Sequence, residues 1–346
     1  MIMGNKPGIS FIVCCYNSAV VIQATIAALA NQKNQGINYE VLLIDNNCTD
    51  ETVRIAQSTW SRKDVQLSIV QEDKLGLSYA RMKGVKHAQF SIISFVDDDN
   101  IVEEQWIVKV FSLFQRDSHI GITGSNNKAL LETAPDWFVR FQSSYACGEQ
   151  HSVSGYLPSY RKYVFGAGLS IRSKIIKDIY SLSLPLFLSD RKGEQLLAGG
   201  DSEICMRAIL MGYKIWYEKD LILLHKILPQ RLTWAYLCKL YEGFGYSSII
   251  LRMFSTMIDD DKPIMRGNAA RSLIKQFWIH YLQSAKNVFF ATSEIKKDQL
   301  NYHFLKGRFM ALKDMFNDYN QIASDIYKYY IKLKSSRSFD ALEAHS

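Results

Sequence analysis

A chain of 346 residues that is 48% hydrophobic can bury a large core, and this composition excludes a disordered protein. Its 41 Lys and Arg against 34 Asp and Glu give a net charge of +7, yet no block of like charge marks a nucleic-acid-binding surface. The six cysteines include no CxxC pair, which disfavours a zinc site. With no signal peptide and no apolar stretch of about 18 residues, we expect a cytoplasmic protein with free thiols.

The first third of the sequence alternates apolar, β-rich runs with helical patterns. The runs predict strands at residues 9–15, 39–44, 65–70 and 90–96, and helices at 19–30, 50–60, 78–88 and 103–115. Thr49 is predicted to cap the second helix. Strand–helix repeats of this length indicate βαβ units and a parallel sheet.

The rest of the chain is less regular and then becomes helical. Strands are predicted at 120–124, 164–171, 214–217 and 221–224, with a helix at 202–211 between them. From residue 232 onward the pattern predicts helices at 232–241, 247–257, 271–291 and 301–334. We therefore expect an α/β domain at residues 1–229 and a helical extension at residues 230–346.

Acidic residues follow two of the predicted parallel strands. Asp45 comes directly after the second strand, and Asp97, Asp98 and Asp99 lie at the end of the fourth. Because ligands of such sheets bind at the carboxyl ends of the strands, both groups should face one crevice. Adjacent carboxylates raise one another's pKa unless a cation neutralises them, and their oxygens suit Mg²⁺ or Mn²⁺. The alternatives are a solvated turn or the acidic N-terminus of a helix for the triplet, and a turn or helix cap for Asp45.

A series of short segments occurs in a characteristic order along the first 245 residues. The segments are IVCCYN at 12–17, VLLIDNNCTD at 41–50, GLSYARMKG at 76–84, FVDDDN at 95–100, GAGLSIR at 166–172 and GGDSEICMRAILMG at 199–212. The series resembles a family 2 glycosyltransferase over residues 9–245. The resemblance implies an α/β fold of the Rossmann-like nucleotide-diphospho-sugar transferase type (the A-type glycosyltransferase fold), with a mostly parallel central sheet and a C-terminal helical extension.

The same resemblance implies an enzyme and its reaction. It implies an inverting, metal-dependent glycosyltransferase that uses Mn²⁺ or Mg²⁺ and a nucleoside diphosphate sugar, with UDP-sugars favoured. The implied acceptor is a hydroxyl of a glycan or of a polyprenyl-diphosphate-linked sugar, in bacterial surface polysaccharide synthesis. Residue by residue, it implies nucleotide contacts for Tyr16, Asn17, Asp45, Arg81, Asp97 and Asp98, metal contacts for Asp97, Asp99 and His225, and the role of catalytic base for Asp201.

Two positions depart from the family's pattern. Gly200 stands where members often have Glu before the catalytic acid, which leaves Glu203 as another acid nearby, and Met82 stands where many have Asn. Neither change removes a group that the chemistry needs, because a diphosphate leaving group needs a neighbouring cation and an acceptor hydroxyl needs a base. The alternative for Asp201 is an N-cap of the helix that follows it.

Two features of the C-terminal third bear on how the enzyme works. The segment QRLTW at residues 230–234 is similar to the QxxRW motif of processive synthases, but its Arg does not abut the Trp, so we expect a non-processive enzyme. Residues 274–291, within the helix predicted at 271–291, are rich in aromatic residues and contain lysines. This segment fits either packing on the catalytic domain or contact with an anionic membrane surface, which would make the protein peripheral at the inner face of the cell membrane.

Other classes of function remain as alternatives of different weight. A non-catalytic module of the same fold that binds nucleotide-sugars or glycans is the main rival, because Gly200 departs from the pattern. A nucleic-acid partner is disfavoured, since the acidic clusters would repel phosphates. A dinucleotide or P-loop site is disfavoured because the sequence has neither GxGxxG nor GxxxxGK[ST].

Overall fold

The computed structural model of the chain describes residues 6–181, 184–188, 198–263, 265–289 and 295–343. Contacts divide these residues into two compact units. The first comprises residues 6–181 and 212–232, and the second comprises residues 184–188, 198–211 and the described residues from 233 onward. The two units interleave along the sequence, and the predicted domains at 1–229 and 230–346 stay a prediction.

A mixed β-sheet forms the centre of the first unit. Its strands are β1 Lys6–Cys15, β2 Tyr39–Asp45, β3 Leu67–Gln71, β4 Phe90–Phe95, β5 Asn100–Val102, β6 Ile120–Leu130, β7 Gly155–Tyr156, β8 Ser170–Arg172 and β9 Lys214–Lys226. Their order is β3-β2-β1-β4-β8-β6-β9-β5, with β7 paired to β9. Strands β1 to β4, β6 and β9 share one direction, whereas β5, β7 and β8 oppose their neighbours. The described sheet is therefore mostly parallel, as predicted.

Helices cover both faces of the sheet. They are α1 Ile22–Ala30, α2 Thr52–Thr59, α3 Leu77–His87, α4 Trp106–Arg116, α5 Phe138–Phe141 and α6 Ser173–Ser181, with 3₁₀ turns at Gln142–Tyr145 and Pro229–Arg231. On one face, Ile26 of α1 and Trp106 of α4 join a core with Phe11 of β1. On the other, Gly84 of α3 lies so close to Ile12 that a Cβ there would be 2.5 Å from its side chain. Both faces of β1 are covered, which explains its continuous apolar sequence.

The second unit is helical. Its helices are α7 Gly200–Leu210, α8 Trp234–Asp260, α9 Arg266–Phe289, α10 Ile295–Asp314 and α11 Tyr319–Glu343. None of the described helices is both long and apolar enough to cross a bilayer. Helices α8 and α10 cross closely at two glycines. A Cβ on Gly245 would lie 2.0 Å from the carbonyl oxygen of Phe304, and one on Gly307 would lie 1.9 Å from that of Glu242.

We expect Gly307→Ala to destabilise the protein by about 1–3 kcal/mol, because the added methyl group would force α10 away from α8. The control is Gly267→Ala in α9, where a Cβ would meet only an Arg271 nitrogen at 3.9 Å. Alanine at that helical position should be neutral or stabilising by up to about 1 kcal/mol. Urea unfolding followed by circular dichroism measures both variants. Equal unfolding midpoints would show that the helix crossing does not require glycine.

The predicted strands and helices between residues 9 and 116 are confirmed to within a few residues at their ends. Other predictions were wrong. The strand predicted at 164–171 starts at Ser170, because Gly168 adopts a φ of +78° and turns the chain. Thr49 does not cap α2, whose N-cap residue is Glu51 without a side-chain cap.

Several predicted boundaries in the later elements also differ from the structure. Residues 214–226 form one strand and residues 234–260 form one helix, whereas 301–334 falls in two helices, α10 and α11. The short strand β5 was not predicted, since three residues after an acidic triplet carry no periodic signal. The last two residues of the helix predicted at 271–291 lie outside the described residues.

Candidate active site

The carboxyl ends of three parallel strands lie side by side at one edge of the sheet. Strand β1 lies between β2 and β4, so Tyr16 and Asn17, which follow β1, are flanked by Asp45 at the end of β2 and by Asp97 after β4. Tyr16 and Asn17 are exposed, and Asp45 and Asp97 are half-buried. Sheets of this kind bind ligands at this edge. The fold therefore brings these four predicted nucleotide contacts to one place.

Hydrogen bonds tie the loop after β1 to the loop after β2. The Asn17 side-chain oxygen accepts a bond of 2.8 Å from the backbone N–H of Thr49, and the Asn17 N–H donates to Cys48 Sγ at 3.4 Å. Asp45 Oδ1 accepts from the Cys48 N–H at 2.8 Å. These bonds hold Tyr16 and Asp45 at fixed positions on the edge.

Arg81 reaches the end of β4 from helix α3. One guanidinium nitrogen lies 3.6 Å from Asp97 Oδ1, and the guanidinium carbon lies 5.4 Å from the centre of the Phe95 ring. Arg81 is buried, whereas a third of the Asp97 side chain is exposed. A guanidinium held in this way can bind an anionic or polar group of a ligand beside Asp97.

Asp98 is fastened to the start of α1. The Ser18 hydroxyl donates to Asp98 Oδ2, and the Thr25 hydroxyl donates to the Asp98 carbonyl oxygen at 2.8 Å. Burial and the charge of Asp99 raise the pKa of Asp98 to about 7, although the bond from Ser18 and the charge of Arg231 lower it. These contacts make Asp98 an anchor for the acidic triplet, and its predicted contact with the nucleotide stays a prediction.

Asp99 lies among groups that are positive or donate hydrogen bonds. Its Oδ1 accepts from Asn100 Nδ2 at 3.0 Å and lies 3.4 Å from His225 Nε2, and its Oδ2 accepts from Arg231 Nη1 at 2.8 Å. The contact with His225 depends on β5, which pairs with β9 so that Asn100 lies opposite His225. Asp99 and His225 are buried, and Arg231 is half-buried.

The charge on His225 follows from its neighbours. Burial by itself lowers the pKa of His225, but the Asp99 carboxylate and a contact with Cys147 outweigh burial and raise the pKa to about 10. Cys147 Sγ lies 3.7 Å from His225 Nδ1. At neutral pH, His225 is therefore an imidazolium. Together with Arg231 it places two cations beside one carboxylate, which favours the binding of an anion here.

Carboxylate oxygens of the triplet suit a divalent cation, but no group of three or more His, Cys, Asp and Glu converges on one point among the described residues. Mg²⁺ and related ions are usually held by one or two carboxylates together with substrate phosphates. Asp99 and Asp97 therefore fit an ion that binds with a diphosphate. The raised pKa of His225 favours its protonated form beside Asp99, and a metal-ligating imidazole must be neutral. Its predicted role as a metal ligand would require loss of that proton.

Asp201 belongs to the second compact unit and lies in the first turn of α7. The helix begins at Gly200 and its N-cap residue is Gly199, so Asp201 is not the N-cap. Its Oδ1 accepts from the Ser202 N–H at 2.7 Å, and the residue is half-buried. Its role as the base stays a prediction.

Glu203, the other candidate acid of α7, is committed to a structural contact. It is fully buried, forms an ion pair of 2.6 Å with Arg207, and accepts from the backbone N–H groups of Phe187 and Leu188. These bonds hold the segment 184–188 against α7. Glu203 therefore does not replace the acid that is missing at Gly200.

Sequence reasoning missed Ser18, Cys147 and Arg231 as neighbours of the acidic triplet. In the sequence, Arg231 stands out only within the segment similar to QxxRW, whose order predicts a non-processive enzyme. Its contact with Asp99 joins residues 132 positions apart, which no local pattern reveals. Ser18 and Cys147 carry no signal beyond their residue types.

Comparison with known proteins supports the predicted resemblance to family 2 glycosyltransferases. Residues 10–166 match Glycosyl transferase family 2. Glycosyltransferase AglE of Haloferax volcanii is 24% identical over 223 residues, which are 64% of this chain and 68% of that protein. The glucosyl-dolichyl phosphate glucuronosyltransferase of the same organism is 21% identical over 267 residues, which are 73% of this chain and 80% of that protein.

A solved structure resembles the fold. The mannosyltransferase PcManGT from Pyrobaculum calidifontis, in complex with GDP-Man and Mn²⁺, superposes with a TM-score of 0.57 at 14% identity. The similarity covers 89% of this chain and 88% of that one. The predicted A-type glycosyltransferase fold with C-terminal helices is thereby confirmed.

Proposed function

Because residues 10–166 match Glycosyl transferase family 2, we propose that this chain acts as a member of that family, as an inverting, non-processive enzyme that uses a nucleoside diphosphate sugar. The observation that carries the proposal is the convergence of three cationic side chains on the acidic triplet at the ligand-binding edge. Arg81 lies beside Asp97, and His225 and Arg231 lie beside Asp99. An edge that combines carboxylates with buried cations suits a ligand that carries both ribose hydroxyls and a diphosphate.

The cations would act on the leaving group. When the bond between the sugar and the diphosphate breaks, negative charge grows on the diphosphate oxygens, and preorganised positive groups lower the energy of that state. The contacts of His225 and Arg231 with Asp99 support this role. A Mn²⁺ or Mg²⁺ ion held by Asp99 and Asp97 would supply further neutralisation of the diphosphate.

The acceptor hydroxyl is a weak nucleophile and must lose its proton to a base as the new bond forms. We assign that base to Asp201, on the strength of its place in the segment GGDSE and its half-buried position in the first turn of α7. One displacement with one base inverts the anomeric centre and requires no covalent intermediate.

For the acceptor we propose a sugar linked to a polyprenyl diphosphate, or a free glycan, in the synthesis of a surface polysaccharide. The support is one relative whose name gives glucosyl-dolichyl phosphate as its acceptor. A lipid-linked acceptor would place the enzyme at the inner face of the cell membrane.

The test is release of nucleoside diphosphate from a panel of UDP-, GDP- and dTDP-sugars, with Mn²⁺ or with EDTA, and with and without a synthetic polyprenyl-diphosphate-linked sugar. We expect release from one donor that the acceptor stimulates and EDTA suppresses. Asp99→Asn should reduce the signal to background, whereas Asp220→Asn, at an exposed carboxylate, should not. NMR of the product should show an anomeric configuration opposite to that of the donor. Binding of a donor without release in any condition would favour the non-catalytic binding module instead.

A further inference from the structure

Helix α9 has apolar residues on two sides, and one of these sides is exposed to solvent. Ile274, Trp278 and Leu282 follow one another at intervals of four residues, and 58%, 63% and 63% of their surfaces are exposed. Ile279 is exposed beside them. With Arg271 and Lys275, which are also exposed, these residues form one stripe along the helix, which we call the outer face of α9.

The opposite side of the same helix already packs within the second unit. Ala269 and Leu273 are buried, and Gln276 accepts a hydrogen bond from Arg308 of α10. A helix on a protein surface usually has one apolar side, which faces the core, and a polar side that faces water. The outer face of α9 departs from this pattern, so its apolar residues call for an environment other than water.

Charge indicates what that environment is. From Arg266 to Ser293 the sequence contains four basic residues and no acidic residue. Arg271 and Lys275 lie on the outer face itself. Basic residues beside Trp, Leu and Ile are typical of helices that lie in the interface of an anionic bilayer.

We propose that the outer face of α9 binds the surface of an anionic membrane. Ile274, Trp278 and Leu282 enter the interfacial region, and Arg271 and Lys275 contact lipid phosphates. The inference rests on the proposed function in one respect, because a lipid-linked acceptor explains why the enzyme would need to lie on a bilayer. The binding itself needs neither donor nor acceptor.

The experiment measures sedimentation of the full chain with vesicles of phosphatidylglycerol and phosphatidylcholine, and with vesicles of phosphatidylcholine alone. We expect binding to the anionic vesicles. Arg271→Gln with Lys275→Gln should weaken it about 30-fold, since each basic residue near such a surface contributes roughly five-fold. Ile274→Glu with Leu282→Glu should weaken it at least about ten-fold, because two apolar side chains that enter the bilayer interface are lost.

A matched control uses Val139→Glu with Val153→Glu, which makes the same change of charge at two exposed apolar residues of the first unit. The affinity of this control for the vesicles should fall only as far as two added negative charges predict, to within about two-fold. If Ile274→Glu with Leu282→Glu binds no more weakly than this control, the proposal is wrong. It is also wrong if the wild type ignores vesicles and light scattering shows a dimer that the same double variant dissociates, because a second copy would then cover the outer face.

The outcome is independent of the test of function. Vesicle binding is measured without donor, and release of nucleoside diphosphate can be measured without vesicles. Donor turnover without vesicle binding would overturn this inference alone, and vesicle binding without turnover would overturn the proposed function alone.

Discussion

Asp201→Asn is expected to lower kcat by about 10²- to 10⁴-fold while leaving the KM for the donor nearly unchanged. Asparagine has nearly the same shape but cannot take up the proton of the acceptor hydroxyl. The side chain lies in the first turn of α7 and accepts from the Ser202 N–H, and an amide oxygen can accept the same bond. Folding should therefore be preserved. Initial rates of nucleoside diphosphate release at saturating donor and acceptor measure the effect.

The control for this prediction is Asp298→Asn, which removes a half-buried acid from the first turn of another helix of the same unit, α10. Both changes lose a similar interaction with a helix N-terminus, worth about 0.3–1 kcal/mol. Only Asp201→Asn should lose turnover. If its kcat stays within about three-fold of that of Asp298→Asn, the base lies elsewhere, because removal of a general base costs far more than this.

Arg207→Ala should destabilise the protein by about 3–5 kcal/mol, the range for removal of one partner from a buried ion pair. Arg207 and Glu203 are both fully buried. Arg207 also donates to the carbonyl oxygens of Leu184 at 2.9 Å and Pro185 at 2.6 Å. Its loss would leave a buried carboxylate without its cation and two carbonyl groups without a donor. Urea unfolding followed by circular dichroism measures the free energy of unfolding.

A surface ion pair with the same i, i+4 spacing supplies the control. Lys174 and Asp178 of α6 lie 2.6 Å apart, with 76% and 38% of their side chains exposed. Lys174→Ala should cost no more than about 0.5 kcal/mol. The double variant Glu203→Leu with Arg207→Met should be more stable than Arg207→Ala, because it leaves no unpaired buried charge. Comparable losses for Arg207→Ala and Lys174→Ala would mean that the buried pair does not stabilise α7.

Several parts of the candidate site could be predicted because they depend on local sequence. Continuous apolar runs mark β1, β2 and β4, and the residues after such strands meet at one edge of a parallel sheet. Asp45 and Asp97–Asp99 could therefore be assigned to that edge without coordinates. The series of motifs indicated the family, and the match over residues 10–166 agrees with it.

Other parts were decided by tertiary structure alone. The contact of Asp99 with His225 exists because β5 pairs with β9. Asp99 also contacts Arg231, which lies in the 3₁₀ turn at Pro229–Arg231. These pairings join residues more than 120 positions apart, and such distant contacts leave no periodic signal in the sequence. The same holds for the high pKa of His225, since burial and a neighbouring carboxylate act on it in opposite directions.

The amino-acid sequence by itself thus determined the alternation of strands and helices, the edge at which the acidic residues gather and the resemblance to a family. The sequence could not show that Glu203 forms a buried ion pair with Arg207. Nor could it show which side of α9 packs and which is exposed, since both sides of that helix are apolar. The apolar periodicity of a helix predicts that one of its surfaces will be buried, but it does not identify the segment that will bury it. The partners of buried charges and the exposed face of α9 are therefore properties of the folded chain, because they depend on which distant segments come into contact.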